Sequence, residues 1–143
     1  MSKRCSVDVM QAQCDYVEHM INPQGLVDFI HEDGFDEDWE SFGLSLDSDL
    51  WAFEMALTAI PELGDVIPAS GGLRKARWNL PGKGKRGGVR VIYMWIPEIF
   101  MIYQFMVYAK TVQDDIRPSV LKELRREAGE IKERLLLAYG YKD

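Results

Sequence analysis

The sequence contains few of the residues that mark disulfide-bonded, metal-binding or membrane-spanning proteins. Cys5 and Cys14 are its only cysteines, too few for a disulfide framework and without the partners of a zinc site. We interpret them as reduced thiols, which indicates a cytoplasmic protein. The most apolar run, residues 101–109, contains Gln104 and is far shorter than the ~20 residues that cross a bilayer. We therefore expect no disulfide scaffold, no membrane association, no metal and no cofactor.

Histidine is equally scarce, although it is the side chain that enzymes use most often for general acid–base catalysis. His19 and His31 are the only two, and both lie in the acidic half of the chain. We interpret them as surface or packing residues rather than catalytic groups.

The net charge of −6 hides a strong division along the chain. Residues 1–70 carry two basic and fifteen acidic side chains, a balance of −13, whereas residues 71–143 carry fifteen basic and eight acidic, a balance of +7. Residues 71–90 contain no acid and seven basic residues: Arg74, Lys75, Arg77, Lys83, Lys85, Arg86 and Arg90. Such asymmetry indicates a polyanionic partner such as RNA, although a solvated basic surface is the simpler alternative.

Hydrophobic periodicity predicts a single α+β domain that follows an N-terminal helical extension over residues 1–25. That helix is predicted from the spacing of Val7, Met10, Cys14, Val17 and Ile21. A short strand at 26–30, helices at 36–42 and 47–60, strands at 73–79, 89–96 and 101–109, and a helix from Pro118 come next. The last two strands are apolar on both sides, so they should be covered on both faces or lie at the centre of the sheet.

Three linked segments carry a family resemblance: residues 64–68 (GDVIP), 71–78 (GGLRKARW) and 81–93 (PGKGKRGGVRVIY). They resemble the RelE/HigB-like branch of the RelE/ParE superfamily of bacterial toxins, and the similarity extends over about residues 26–128. The resemblance implies a toxin domain over 26–143, with helices packed on one face of a small, strongly twisted antiparallel sheet.

The same resemblance implies a function. Such toxins belong to type II toxin–antitoxin systems, enter the ribosomal A site and cut mRNA there. The implied partners are a cognate antitoxin, the ribosome and mRNA, with assembly as a homodimer or as a toxin–antitoxin hetero-oligomer.

RNA cleavage without a metal must activate the 2′-hydroxyl, stabilise charge on phosphorus and protonate the leaving 5′-oxygen. By resemblance, the catalytic set is Arg74, Lys75, Arg77, Arg90 and Lys110. Arg90 would bind the scissile phosphate, because a guanidinium matches two phosphate oxygens. Lys75 or Lys110 is the better candidate for proton transfer. The general acid stays open, because residues 111–116 contain neither the tyrosine nor the histidine that assists in some relatives.

The predicted RNA-binding residues are Lys83, Lys85, Arg86, Tyr93 and Tyr108. The first three lie in a Gly-rich loop that lacks the ending of a nucleotide-binding P-loop and precedes a strand, not a helix. That loop either contacts ribosomal RNA or is simply solvated. The tyrosines either stack on bases or belong to the core, as aromatic residues on central strands more often do.

Two other functions remain open at the level of sequence. A ParE-like toxin inhibits DNA gyrase on the same fold, and a toxin-derived domain could bind RNA or a protein without cutting. The retained basic residues favour the nuclease, whereas the acidic first half favours a binding module.

Overall fold

The computed structural model describes residues 26–79, 88–109 and 116–140, which form five strands and three helices. The predicted helix within residues 1–25 lies outside this range. The elements are β1 (Asp28–His31), α1 (Phe35–Ser41), α2 (Asp49–Ala59), β2 (Asp65–Val66), β3 (Arg74–Trp78), β4 (Val89–Ile96), β5 (Met101–Ala109) and α3 (Pro118–Ala138), with a 3-10 turn (Pro97–Ile99) between β4 and β5. The α+β class predicted from the sequence is confirmed.

The strands form one mixed sheet in the order β1-β5-β4-β3-β2. β2, β3, β4 and β5 pair antiparallel with their neighbours, as expected, but β1 pairs parallel with β5. The prediction of a purely antiparallel sheet is wrong at this edge. No tight turn joins β1 to β5, since α1, α2 and three strands separate them, and a parallel pair needs such a long crossover. β2 was not predicted, because two residues are too few to show an alternating pattern.

Helices cover both faces of the sheet, not one face as the family resemblance implied. Side chains of β4 alternate between two clusters. Val89, Val91 and Tyr93 belong to the cluster that contains α1 and α2, whereas Ile92, Met94 and Ile96 belong to the cluster that contains α3. All but one of the eight residues of β4 are buried, so apolar side chains on both sides required a cover. We refer to these sides as the α1–α2 face and the α3 face.

A β-bulge in β5 adds one residue, and the β5 side chains on either side of it still face the same way as their partners on β4. Tyr93 pairs with Gln104 and Ile92 pairs with Met106, so Phe105 is an extra residue opposite β4. Phe105 and Met106 both pack in the α3 cluster. The alternation then resumes, and Tyr108 lies on the α3 face.

A buried polar cluster joins β1, α1, α2 and β5 on the α1–α2 face. His31 contacts Asp36 through Nδ1 and Glu54 through Nε2, each at 2.7 Å, and Gln104 Nε2 donates to Glu54 at 2.8 Å. All four side chains are buried. The two ring nitrogens of His31 thus bridge two buried carboxyl groups, one on each helix. His31 is therefore a packing residue that ties α1 and α2 to β1, one of the two roles expected for it.

We expect His31→Ala to lower the free energy of unfolding by about 2–6 kcal/mol, because it removes a hydrogen bond from each of two buried carboxyl groups, at about 1–3 kcal/mol each. Urea denaturation followed by circular dichroism measures this. Glu37→Ala, at an exposed position of α1, is the matched control and should stay within about 0.5 kcal/mol of the wild type. A similar loss in both variants would contradict this role.

Tyr103 makes a second link, since its hydroxyl donates to the carboxylate of Glu32 in the loop after β1. Burial, and then the bond to Glu32, raise the pKa of Tyr103. A tyrosine of the unfolded chain ionises near pH ~10, so the stability that Tyr103 contributes is complete below that pH and is lost above it.

We therefore expect the stability difference between the wild type and Tyr103→Phe to shrink as the pH rises above 10. Urea unfolding at pH 8 and at pH 10.5 measures both differences. A difference that stays constant over this interval would show that ionisation of Tyr103 is not coupled to the free energy of unfolding.

Candidate RNA-binding face

Three of the predicted site residues form a row across the centre of the sheet. Arg77 of β3 pairs with Arg90 of β4, and Arg90 pairs with Tyr108 of β5. Residues directly opposite each other in an antiparallel pair point to the same face, with Cα atoms about 4.5–5.5 Å apart. The three side chains therefore leave the sheet side by side on the α3 face, with Arg90 in the middle.

Lys75 extends this row by one position. It lies two residues before Arg77 on β3, so it shares the same face about 7 Å away along the strand. Its partner in the sheet is Ile92, which packs in the α3 cluster. The basic residues thus border the apolar area that α3 covers. We call Lys75, Arg77, Arg90 and Tyr108 the basic face.

The four residues differ in exposure. Arg77 is exposed, Lys75 and Tyr108 are half-buried, and Arg90 is only 3% exposed. A cation with so little solvent around it acts through a lower effective dielectric, so its attraction for an anion is stronger than that of a surface arginine. Gly88 adjoins Arg90: a side chain at Gly88 would come within 3.2 Å of the Trp78 carbonyl oxygen. The glycine therefore lets β4 begin close to the end of β3.

Arg74 and Tyr93 lie on the opposite face, so the structure does not bring them together with Arg77, Arg90 and Tyr108. Arg74 Nη1 donates to the Gly64 carbonyl at 2.7 Å and to the Glu62 carbonyl at 3.3 Å. The Tyr93 hydroxyl donates to the Pro61 carbonyl at 2.7 Å and accepts from the Gly64 N–H at 2.9 Å. Tyr93 has no exposed surface, and burial raises its pKa. Both side chains hold the connection between α2 and β2.

Gly64 is required where this connection crosses the sheet. A Cβ at Gly64 would lie 2.8 Å from the carbonyl carbon and oxygen of Lys75, too close for any side chain. This glycine therefore lets the backbone approach β3 and brings three carbonyls and one N–H to Arg74 and Tyr93. Gly64, the first residue of the segments that carry the family resemblance, therefore has a structural explanation.

The remaining predicted residues lie outside the described part of the chain: Lys83, Lys85, Arg86 and Lys110.

The acidic helices α1 and α2 lie on the side of the sheet opposite the basic face, whereas α3, on the same side, carries four glutamates among five basic residues. Residues 26–70 contain twelve acidic residues and neither lysine nor arginine. Their two helices cover the α1–α2 face, and α1 exposes Glu37, Asp38 and Glu40. Lys75, Arg77 and Arg90 lie on the opposite side. A polyanion can therefore approach the basic face while the acidic helices point away, which explains how a chain of negative net charge could bind one.

Arg125 of α3 is an additional cation that sequence reasoning missed. Its side chain packs over Gly71, where an added Cβ would lie 3.4 Å from Arg125 Cγ. Gly71 closes the turn before β3, so Arg125 extends the positive charge toward the start of that strand. No local sequence signal identifies this contact, because it joins residues 54 positions apart in the chain.

The described residues hold neither a cluster suited to a metal ion nor a helix suited to a membrane. Residues 26–79, 88–109 and 116–140 contain no group of three or more His, Cys, Asp or Glu side chains suited to a metal ion. None of the three helices is long and apolar enough to cross a bilayer. No protein-family model matches the chain. The RelE/ParE resemblance thus stays a prediction.

Arg74 and Arg77 provide a matched test of the two faces. We expect Arg74→Gln to lower the free energy of unfolding by about 1.5–3 kcal/mol, because it removes a charged donor from two carbonyls, and to leave RNA affinity unchanged. Arg77→Gln should leave stability within about 0.5 kcal/mol and reduce by roughly one the slope of log affinity against log salt for single-stranded RNA.

Urea denaturation and the fluorescence anisotropy of a labelled RNA oligonucleotide measure the two quantities. If both variants weakened RNA binding equally, the division of the arginines between the two faces would not govern recognition.

Proposed function

We propose that this chain is the toxin of a type II toxin–antitoxin system, an mRNA endoribonuclease that acts on the ribosome without a metal and inhibits translation. The single observation that carries the proposal is the basic face: two arginines and a tyrosine in one cross-strand row, with Lys75 at the next position. Lys75, Arg77 and Arg90 belong to the catalytic set that the RelE-like resemblance implies, and Tyr108 is one of the predicted RNA-binding residues. The proposed site of action is the cytoplasm, where the ribosomes are.

Each residue of the basic face has a distinct proposed role. Exposed Arg77 binds an RNA phosphate, because its planar fork matches two phosphate oxygens. Arg90, at the centre, stabilises the charge that develops on the scissile phosphate, and its restricted solvent contact strengthens this effect. Lys75 or Lys110 transfers the proton. Tyr108, at the other end of the row, stacks on a base, a contact worth about 1–3 kcal/mol.

The position of the acidic helices supports action on the ribosome rather than a basic surface that only contacts solvent. Ribosomal RNA surrounds a protein in the A site, so acidic residues next to the basic face would oppose entry. Here the acidic helices α1 and α2 lie on the other side of the sheet. The cognate antitoxin, the other proposed partner, would have to cover or neutralise the basic face to prevent cleavage.

The test is to express the chain in bacteria and map the 5′ ends of ribosome-associated mRNA. We expect new in-frame cleavages with the wild type. Arg90→Met retains side-chain volume but removes the charge, and should reduce cleavage by about 10²–10³, the usual effect of losing one charge-stabilising donor. Arg77→Ala, at an exposed position, should reduce cleavage without unfolding the protein. Arg134→Ala, exposed on α3, is the control and should cleave like the wild type.

The other functions give different results. Blocked replication with intact mRNA would indicate a gyrase inhibitor. Binding to ribosomes or RNA with no new 5′ ends would indicate a module that binds without cutting. Cleavage that persists in folded Arg77→Ala and Arg90→Met would remove the basic face from the mechanism.

A further inference from the structure

An exposed apolar surface lies at the end of the sheet opposite the basic face. Leu26 is 54% exposed and Phe100 is 42% exposed. The Phe100 ring packs edge-on against Trp95, with ring centroids 6.1 Å apart. The N–H of Asp28 donates to the Phe100 carbonyl at 3.0 Å, so the described chain begins beside this ring. Trp95 is five residues from Arg90 along β4, which places the two surfaces about 17 Å apart.

The backbone at Phe100 is unfavourable for an aromatic residue. Phe100 ends the 3-10 turn in the left-handed region, with φ 51° and ψ 54°. This conformation costs about 1–2 kcal/mol for a residue with a Cβ, and glycine or asparagine adopts it more readily. Even with the Trp95 contact, 42% of Phe100 remains exposed. A strained residue that exposes a large apolar side chain indicates a further contact for that side chain.

Two more exposed apolar residues lie on the same side of the sheet. Ile60 and Leu63 flank the connection after α2 whose Pro61 carbonyl and Gly64 N–H bind the Tyr93 hydroxyl. Trp95 follows Tyr93 by two residues on β4 and packs on the same cluster. We call Leu26, Trp95 and Phe100 the apolar end surface.

We propose that the apolar end surface binds the N-terminal segment of the same chain, through the stripe formed by Val7, Met10, Cys14, Val17 and Ile21. The sequence predicts an amphipathic helix there, and only residues 22–25 separate Ile21 from Leu26. Five Cα–Cα steps separate Ile21 from Leu26 and span at most ~18 Å, so the C-terminal end of the stripe lies within that distance of Leu26. Such a short tether also keeps the local concentration of the segment in the millimolar range, which favours this segment over a second copy of the chain.

The other exposed aromatic residue on this side is a less suitable site. Trp51 lies in the first turn of α2, nine residues before Ile60, and so about 14 Å away along the helix. No described residue of the N-terminal attachment adjoins it. Trp51 therefore serves as the matched control.

Hydrogen–deuterium exchange of the full-length chain tests the proposal. We expect the amides of residues 7–21 to exchange at least tenfold more slowly than in an unstructured peptide, at every protein concentration. Phe100→Asn removes the ring and also relieves the backbone strain, so β4 and β5 should keep their protection while residues 7–21 lose theirs. Leu26→Asn, outside the strands, is a second variant with the same expected result. Trp51→Ser should change neither.

Other outcomes overturn the proposal. Unprotected residues 7–21 in the wild type would show that the segment does not dock. Protection that survives both Phe100→Asn and Leu26→Asn would place the segment elsewhere. Protection that increases with protein concentration would show that a second copy, not the chain's own segment, covers the surface.

Discussion

Two-sided burial of β4 is the constraint on which the rest of the structure depends. Its side chains alternate between the cluster of α1 and α2 and the cluster of α3, and all but one of its residues are buried. A strand in this position leaves little freedom for its neighbours, because a shift of one residue would exchange every side chain between the faces. The register with β3 and β5 therefore fixes which polar residues reach which side. Arg90 reaches the α3 face because Val89 and Val91 face α1 and α2.

This alternation separates structure from chemistry within one short basic strand. Arg74 and Arg77 are three residues apart and so point to opposite faces. Arg74 holds the connection after α2, where Tyr93 also binds, whereas Arg77 joins Arg90 and Tyr108. The acidic residues follow the same division, because α1 and α2 cover the face from which Arg77 and Arg90 point away. One chain with a net charge of −6 thus presents a cationic surface without acidic neighbours in the same row.

The sequence predicted the elements better than it predicted their arrangement. The bounds of β4 and β5 and the start of α3 at Pro118 match, because these segments combine clear periodicity with turn or cap residues. The parallel pairing of β1, the bulge at Phe105 and the cover on both faces depend on contacts between distant residues, which local patterns do not encode. Ile60 was expected in the buried stripe of its helix, but α2 ends at Ala59 and Ile60 is exposed.

The candidate site was predictable only in part. Composition identified the basic segment, but grouping all its cations into one site ignored the two-residue period of a strand, which would have separated Arg74 and Tyr93 from Arg77 and Arg90. The buried polar cluster around His31 could not be predicted, because its hydrogen-bonded pairs lie 5 to 50 positions apart in the chain.

The central claim is that RNA meets the α3 face of the sheet through Arg77, Arg90 and Tyr108. Photo-crosslinking of the full-length chain to 4-thiouridine-labelled mRNA on ribosomes, with the crosslinked peptides identified by mass spectrometry, tests it most directly. The account predicts crosslinks in the peptides that contain Arg77 and Tyr108, and none in those that contain α1 or α2. Crosslinks confined to α1 and α2 would contradict it.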